Sequence, residues 1–351
     1  MPLPPSICSN RPGGGATFST LQARATLMQV LRHFFASQDF LEVETPILSR
    51  YAGLEPHLDP FESRYRPTPQ QEGIPVYLLT SPEYALKRLL VAGAERVYQV
   101  AKVFRNGETG PFHNPEFTML EWYRTPGSYL DIMVDTEGLV CMLAESLGKG
   151  EALCWQGHRV SLERPWRRLS VREAFLEYAG LALEDMGSAE VFRRAAQGLG
   201  IHVPVDADWD EIYFRVLVER VEPRLGFDAP TFLYDYPAQF AALSQVRVER
   251  PFPVAERFEL YVAGVEVANA YSELTDPVVQ AQRFEEERAF RARLGLPLLS
   301  PDPDYLAALR SGLPPTGGIA VGVDRLMMLL LDVPDVRATL AFPFYPPGWE
   351  E

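Results

Sequence analysis

The residues best suited to chemistry gather between Phe104 and Arg124, where Arg105, Asn106, His113 and Asn114 stand in one Gly/Pro-rich loop. These are donor types that hold phosphate and the edge of a base. On both sides the pattern is that of a strand. Val97 to Phe104 is rich in β-branched and aromatic residues, and alternation resumes from Phe117 to Tyr123. Period two puts Phe117, Met119, Glu121 and Tyr123 on one face. A face that only packed on a core would not carry Glu121.

Two further stretches carry carboxylates. In Arg257–Leu274, two β-type runs joined through Ala263-Gly264 predict a hairpin that brings Glu259 and Glu266 across from one another. Close like charges require solvent or a cation. An isolated pair of this kind reads equally as surface acids. Beside a phosphate-binding hairpin, Mg²⁺ is the preferred partner, because that ion takes one or two carboxylates and completes its shell with phosphate oxygens. Ser81-Pro82-Glu83 opens a helix after the short apolar strand Val76–Thr80, with a cap, a proline and a first-turn acid. On its own, Glu83 is an acid matched to the helix dipole.

The elements that must position these residues fit an ordinary globular chain. At 351 residues, 47% hydrophobic and 23% charged, it is long enough for one large or two smaller domains. No apolar run reaches the roughly 18 residues of a membrane span, and Met1 to Ser19 has no apolar signal core, so a cytoplasmic protein with a loose tail over 1–18 is expected. Cys8, Cys141 and Cys154 lack metal-ligand or disulfide spacing and read as reduced thiols. The net charge of -14 argues against nucleic acid as the main partner. Ser19 with Gln22 predicts a capping box, opening a helix whose apolar face is Leu27, Leu31, Phe34 and Phe35. Later come a helix near 131–147, a strand near 154–162, a capping box at Ser170 and Glu173, a helix near 209–221 and a strand over 230–237. A charged amphipathic helix over 276–294 reads as scaffold. The glycines at 312–318 let a buried strand pass close to a ligand. Arg325 opens the last apolar helix.

Three ordered blocks carry a family resemblance. Phe104–Arg124 resembles motif 2 of the class II aminoacyl-tRNA synthetases, Phe40–Leu48 resembles motif 1, and Gly317–Leu326 resembles motif 3; within that family the lysyl branch is the most similar. The resemblance implies an α+β fold, an antiparallel sheet flanked by helices over 19–351, with a helical insertion at roughly 131–225. It implies a homodimer through motif 1, with Pro46 at its hinge. ATP would lie against Arg105, Asn106, Gly107, His113, Asn114, Phe117, Glu266, Val267, Gly322 and Arg325, with adenine between Phe117 and Arg325. Mg²⁺ would sit on Glu259 and Glu266. The amino acid would meet Ser81, Pro82, Glu83, Glu121, Tyr123, Glu273 and Ala320, with Arg105 on its carboxylate and Glu273 and Tyr123 on its terminal ammonium. Once that fold is granted, so acidic a pocket suits a dication such as lysine or β-lysine, because buried carboxylates need cationic partners.

The acceptor follows from departures within the branch. A lysyl-tRNA synthetase would carry an anticodon-binding domain ahead of motif 1, and here only a Pro/Gly/Ser tail and one helix precede it. Ser81 stands where the tRNA ligases usually have Ala, and Ala320 where they usually have Gly. Both are similar to the branch whose acceptor is a lysine of elongation factor P, which makes tRNA an unlikely partner. The methyl of Ala320 would shift the pocket from an α- to a β-amino acid. Pro314–Gly318 is closer to the tRNA ligases, and Gly107 replaces an acid often found in motif 2. A minimal lysyl-tRNA ligase or lysyl-adenylate former, and a silent regulatory subunit, are the alternatives.

Overall fold

Thr17, rather than the expected Ser19, opens the first helix. It is extended (φ -69°, ψ 162°) and its hydroxyl accepts from the Thr20 amide at 3.2 Å. In this computed structural model, which describes residues 15–55, 57–248 and 251–345, helix α1 (Phe18–Ser37) buries the expected face of Leu27, Leu31, Phe34 and Phe35. Residues 1–14 of the expected tail, and Cys8 with them, lie outside the described residues. Residues 15–17 are held: the Ala16 amide donates to the Leu340 carbonyl at 2.7 Å.

The motif 1 segment supplies the short strand β1 (Leu41–Glu42). The long hairpin follows as β2 (Arg96–Phe104) and β3 (Glu116–Arg124), paired without a break from Arg96↔Arg124 to Phe104↔Glu116. Four further strands and one at the rim complete the main sheet: β4 (Arg167–Ser170), β5 (Thr231–Pro237), β6 (Val254–Val262), β7 (Val265–Ser272) and β8 (Gly317–Gly322). Their order across the sheet is β1-β2-β3-β8-β7-β6-β5-β4, with Val246–Arg247 pairing β6. Pairing is antiparallel through the middle and parallel only at the two ends, β1 on β2 and β4 on β5. The expected α+β class with a flanked antiparallel sheet is what forms.

The two largest hydrophobic clusters grip the sheet. Phe35 of α1 stacks on Tyr98 with ring centroids 4.3 Å apart and touches Trp122 at 5.3 Å, in a core that also takes helix α3 (Tyr129–Ser146). The second cluster, including Phe175, Phe192 and Tyr213, lies between the helices of 171–224 and strands β5 and β6. Of the stretch expected as a helical insertion, α3 therefore belongs to the main core. Its strand near 154–162 is instead a hairpin, Ala152–Trp155 against His158–Ser161, because Gln156 and Gly157 both adopt positive φ and turn the chain. The Ser170/Glu173 capping box is present.

Helix α4 (Val323–Leu331) closes motif 3, and its Asp324 ties three elements together. The carboxylate accepts from Arg24 of α1 at 2.6 Å and from the Thr118 amide of β3 at 2.7 Å, and Arg24 also donates to the Thr118 hydroxyl at 2.8 Å. Removing one partner of a buried pair leaves the other charge uncompensated. Arg24→Ala is expected to cost about 3 kcal/mol of unfolding free energy, read from a denaturant midpoint. A loss below about 1 kcal/mol would show that Asp324 does not need its cation.

Candidate active site

The concave side of β3, β8 and β7 carries a cavity of about 420 Å³. Register explains its floor. Gly318 lies between Tyr123 of β3 and Tyr271 of β7, Ala320 between Glu121 and Asn269, and Gly322 beside Met119. The cavity-facing positions of β3 are large, so those of β8 must be small. A Cβ on Gly318 would stand 2.2 Å from Glu273 Oε1 and 2.4 Å from the Tyr123 ring, which leaves only glycine there.

One end of the cavity is acidic. Glu121 is 1% exposed; its Oε1 accepts from the Ser81 hydroxyl at 2.6 Å and its Oε2 from the Tyr123 hydroxyl at 2.9 Å. Ser81 also accepts from the Glu83 amide at 3.0 Å, so one hydroxyl caps helix α2 (Glu83–Val91) and holds Glu121. Pro82 takes the cap position itself and does not line the cavity. Sequence reasoning passed over Lys87. It is fully buried one turn along α2, where it pairs with Glu83 and, at 2.5 Å, with Glu273. Burial alone would push the Lys87 ammonium down, but Glu273 and Glu83 hold it well above its usual range. Burial, then Glu83, pushes Glu121 up to about 8, against the pull of its two hydroxyl donors. Glu273 is raised as well, first by burial.

The other end is cationic. Arg325 is fixed by the Phe112 carbonyl at 3.0 Å, the Glu266 carbonyl at 2.9 Å and His113 Nε2 at 2.6 Å. Burial and then Arg325 lower the His113 pKa, so a neutral imidazole accepts that bond. Arg105 places its guanidinium 5.2 Å from the centre of the Phe117 ring. Phe117, Val267 and Gly322 line the same space. Asn114 lines it too, but both ends of its amide are committed, the nitrogen to the Glu116 carbonyl at 2.6 Å and the oxygen to the Phe344 amide at 2.9 Å. Asn106 and Gly107 stand outside the lining. The Asn106 amide turns away to Asp59 at 2.8 Å, because its backbone amide is already drawn to the Asp59 carbonyl.

The β6–β7 hairpin forms as expected, but its acids are not directly opposed. The Ala263-Gly264 turn sets Glu266 against Tyr261, and a bulge between Leu260 and Tyr261 then sets Glu259 against Asn269. Glu266 lines the cavity and its pKa is raised, first by burial and then by Glu259. Glu259 lies behind the lining, accepting from Arg257 at 2.6 Å, Tyr236 at 2.7 Å and Tyr261 at 2.8 Å. Arg257 and Asn269, neither singled out in the sequence, face the cavity, and the Asn269 amide oxygen is buried without a hydrogen-bond partner among the described residues. Among the described residues no three carboxylate, imidazole or thiol side chains converge as a metal site. Two carboxylates and an orphaned amide oxygen are nonetheless hard oxygen donors of the kind Mg²⁺ takes when phosphate and water supply the rest.

A guanidinium-lined half and a carboxylate-lined half in one cavity can hold an anionic nucleotide beside an amino-bearing carboxylic acid. Comparison with known proteins agrees. Residues 15–345 match the family described as tRNA synthetases class II (D, K and N). The chain is 41% identical over 332 residues to the elongation factor P (R)-β-lysine ligase of Salmonella gallinarum, covering 93% of this chain and 95% of that protein. Proteins with the same name from Proteus mirabilis and Hamiltonella defensa are each 38% identical, covering 94% and 93% of this chain and 96% of their own lengths.

The raised Glu121 has a measurable consequence. Near neutral pH the free site keeps its proton; an arriving ammonium favours the carboxylate and expels it. Affinity for a diamino acid is therefore expected to rise with pH between about 6 and 8 and then level, with proton release seen by calorimetry in buffers of different ionisation enthalpy. The ligand-free fold runs the other way. Its Glu121 binds a proton that the unfolded chain has lost above about 4.5, so this group's stabilisation declines as pH rises through about 8. Binding that is flat across this range would contradict the assignment.

Proposed function

The chain belongs to the class II tRNA synthetases of the D, K and N group, and from that premise we propose that it activates (R)-β-lysine, or lysine, with ATP and transfers the acyl group to a lysine side chain of elongation factor P. The observation that carries this reading is the enclosure of Glu83, Glu121, Glu273 and Tyr123 at one end of a cavity whose other end presents Arg105 and Arg325. The names of the relatives support the acceptor.

In the first step a carboxylate oxygen attacks the α-phosphorus of ATP, the bond to pyrophosphate breaks, and an acyl-adenylate forms. Anion attacks anion, so the protein's work is charge cancellation and alignment rather than proton removal. Arg105, which lines the cavity beside Phe117, would hold the carboxylate and the α-phosphate. Arg325 is held rigidly enough to clamp the nucleotide without reorganising, with Phe117 as the opposing adenine surface. Mg²⁺, on Glu266 with Glu259 and Asn269 near it, would neutralise phosphate charge. In the second step the neutral amine of the acceptor lysine attacks the acyl carbon, AMP leaves, and one proton is lost to solvent.

Ser81, bonded to Glu121, and the methyl of Ala320, on the cavity floor beside that carboxylate, favour the β-amino acid over the α. We further propose that the protein works in the cytoplasm as a homodimer through 40–48 and does not charge tRNA. Among the described residues no helix is long and apolar enough to cross a membrane.

Incubation with labelled (R)-β-lysine, ATP and either elongation factor P or lysine tRNA separates the acceptors. Label is expected on the protein and not on the RNA; the reverse would make this a minimal tRNA ligase. Arg325→Ala is expected to lower ATP–pyrophosphate exchange by about 100-fold or more while leaving the fold intact by circular dichroism, and full exchange would remove Arg325 from the clamp.

A further inference from the structure

Four carboxylates reach the acid end, and three of them are engaged. Lys87 pairs with Glu83 and Glu273, and Glu121 takes the hydroxyls of Ser81 and Tyr123. The fourth is Glu55, whose Oε2 is shielded from solvent and has no hydrogen-bond partner among the described residues. It is not a wandering surface acid. The side chain folds back over Gly53, where a Cβ would stand 2.3 Å from Oε2. Its loop is tied to the long helix Pro277–Arg293 by the buried Arg291, which donates to the Glu55 carbonyl at 3.4 Å and the Leu58 carbonyl at 3.3 Å.

Its neighbours locate it within the cavity. Glu55 lines the cavity with Ser81 and Glu83, and its loop runs on to Asp59, whose carbonyl and carboxylate accept from the backbone and side-chain amides of Asn106, next to Arg105; burial, then Glu83, pushes the Glu55 carboxyl up. Glu55 thus joins the acid cluster from the side of the Arg105 segment, whereas Glu121 and Glu273 are held on the side of Tyr123 and Lys87. A buried carboxylate with an open oxygen is costly unless a cation reaches it. Glu83 at the same level already shares its charge with Lys87.

We propose that Glu55 binds the amino group nearest the reacting carboxylate of the substrate, and so sets the requirement for a second ammonium on the amino acid. This rests on the diamino-acid ligase reading above. It adds a recognition contact from the loop between motif 1 and α2, a part of the chain to which that reading assigns no chemistry.

The test is Glu55→Gln in the full-length protein, which keeps shape and removes charge. A charge-assisted contact of this kind predicts a KM for lysine and (R)-β-lysine raised about 10- to 100-fold in pyrophosphate exchange, with the KM for ATP unchanged. Inhibition by 6-aminohexanoate, which keeps the carboxylate and the far ammonium but lacks the near one, should be the same in both proteins. Gly53→Ala, which drives Oε2 from its place without changing charge, should move the same constants in the same direction. The proposal is overturned if Glu55→Gln leaves the diamino acid KM within twofold of the original, or if it weakens 6-aminohexanoate or ATP equally. Failure of the unaltered protein to activate either diamino acid would instead overturn the ligase reading. The thermal midpoint of Glu55→Gln should equal or exceed that of the original, since an unpaired buried charge is removed.

Discussion

Carboxylates held out of water around a single buried lysine are the constraint on which this site depends. Lys87 is wholly enclosed and cancels part of the charge of Glu83 and Glu273; Glu121 keeps a proton near neutral pH. Without these two devices the repulsion among the acids would oppose folding. With both of them in place the pocket remains short of positive charge. A guest carrying two ammonium groups supplies what is missing, and one carrying none leaves the acids unpaired. Selectivity then follows from electrostatics before shape is considered.

The sheet makes that arrangement possible. Cavity-facing positions of β3 carry Phe117, Met119, Glu121 and Tyr123, and β8 answers with Gly318, Ala320 and Gly322, so the strand beside the large residues leaves room above them. Asp324 then locks β3 to α1 through Arg24, which fixes the face on which recognition occurs. The guanidinium half of the cavity is built differently. Arg325 is immobilised by carbonyls from two segments and by a neutral His113, and a guanidinium already in position costs little to use.

Much of this was legible in the chain because period and turn chemistry carry it. The alternation over 96–124 gave the hairpin almost to the residue, and the glycines before Ile319 marked where β8 passes close to Glu273 and Tyr123. What was missed lacks such a signal. Lys87, four residues after Glu83 on a helix, has the spacing of an ordinary surface ion pair, and only burial distinguishes it. Glu55 lies in a loop with no period. Glu259 and Glu266 are not opposed because the Ala263-Gly264 turn pairs Val262 with Val265, and so Glu266 with Tyr261; the bulge at Leu260/Tyr261, which nothing in the sequence announces, only moves Glu259 on to Asn269. The resemblance sets Asn106 against ATP, whereas its side-chain amide donates to Asp59, distant in sequence. Thr17 outcompeted Ser19 as a cap because its backbone is extended where the helix begins.

The central claim is that one cavity aligns a nucleotide's phosphate against guanidinium groups and a diamino acid against enclosed carboxylates. A crystal structure with a non-hydrolysable (R)-β-lysyl-adenylate analogue tests it most directly. The account expects adenine on Phe117 and Arg325, the acyl oxygen at Arg105 and the far ammonium between Glu121 and Glu273. An analogue bound with its amino groups in solvent, or with its nucleotide outside the β3–β8–β7 face, would contradict it.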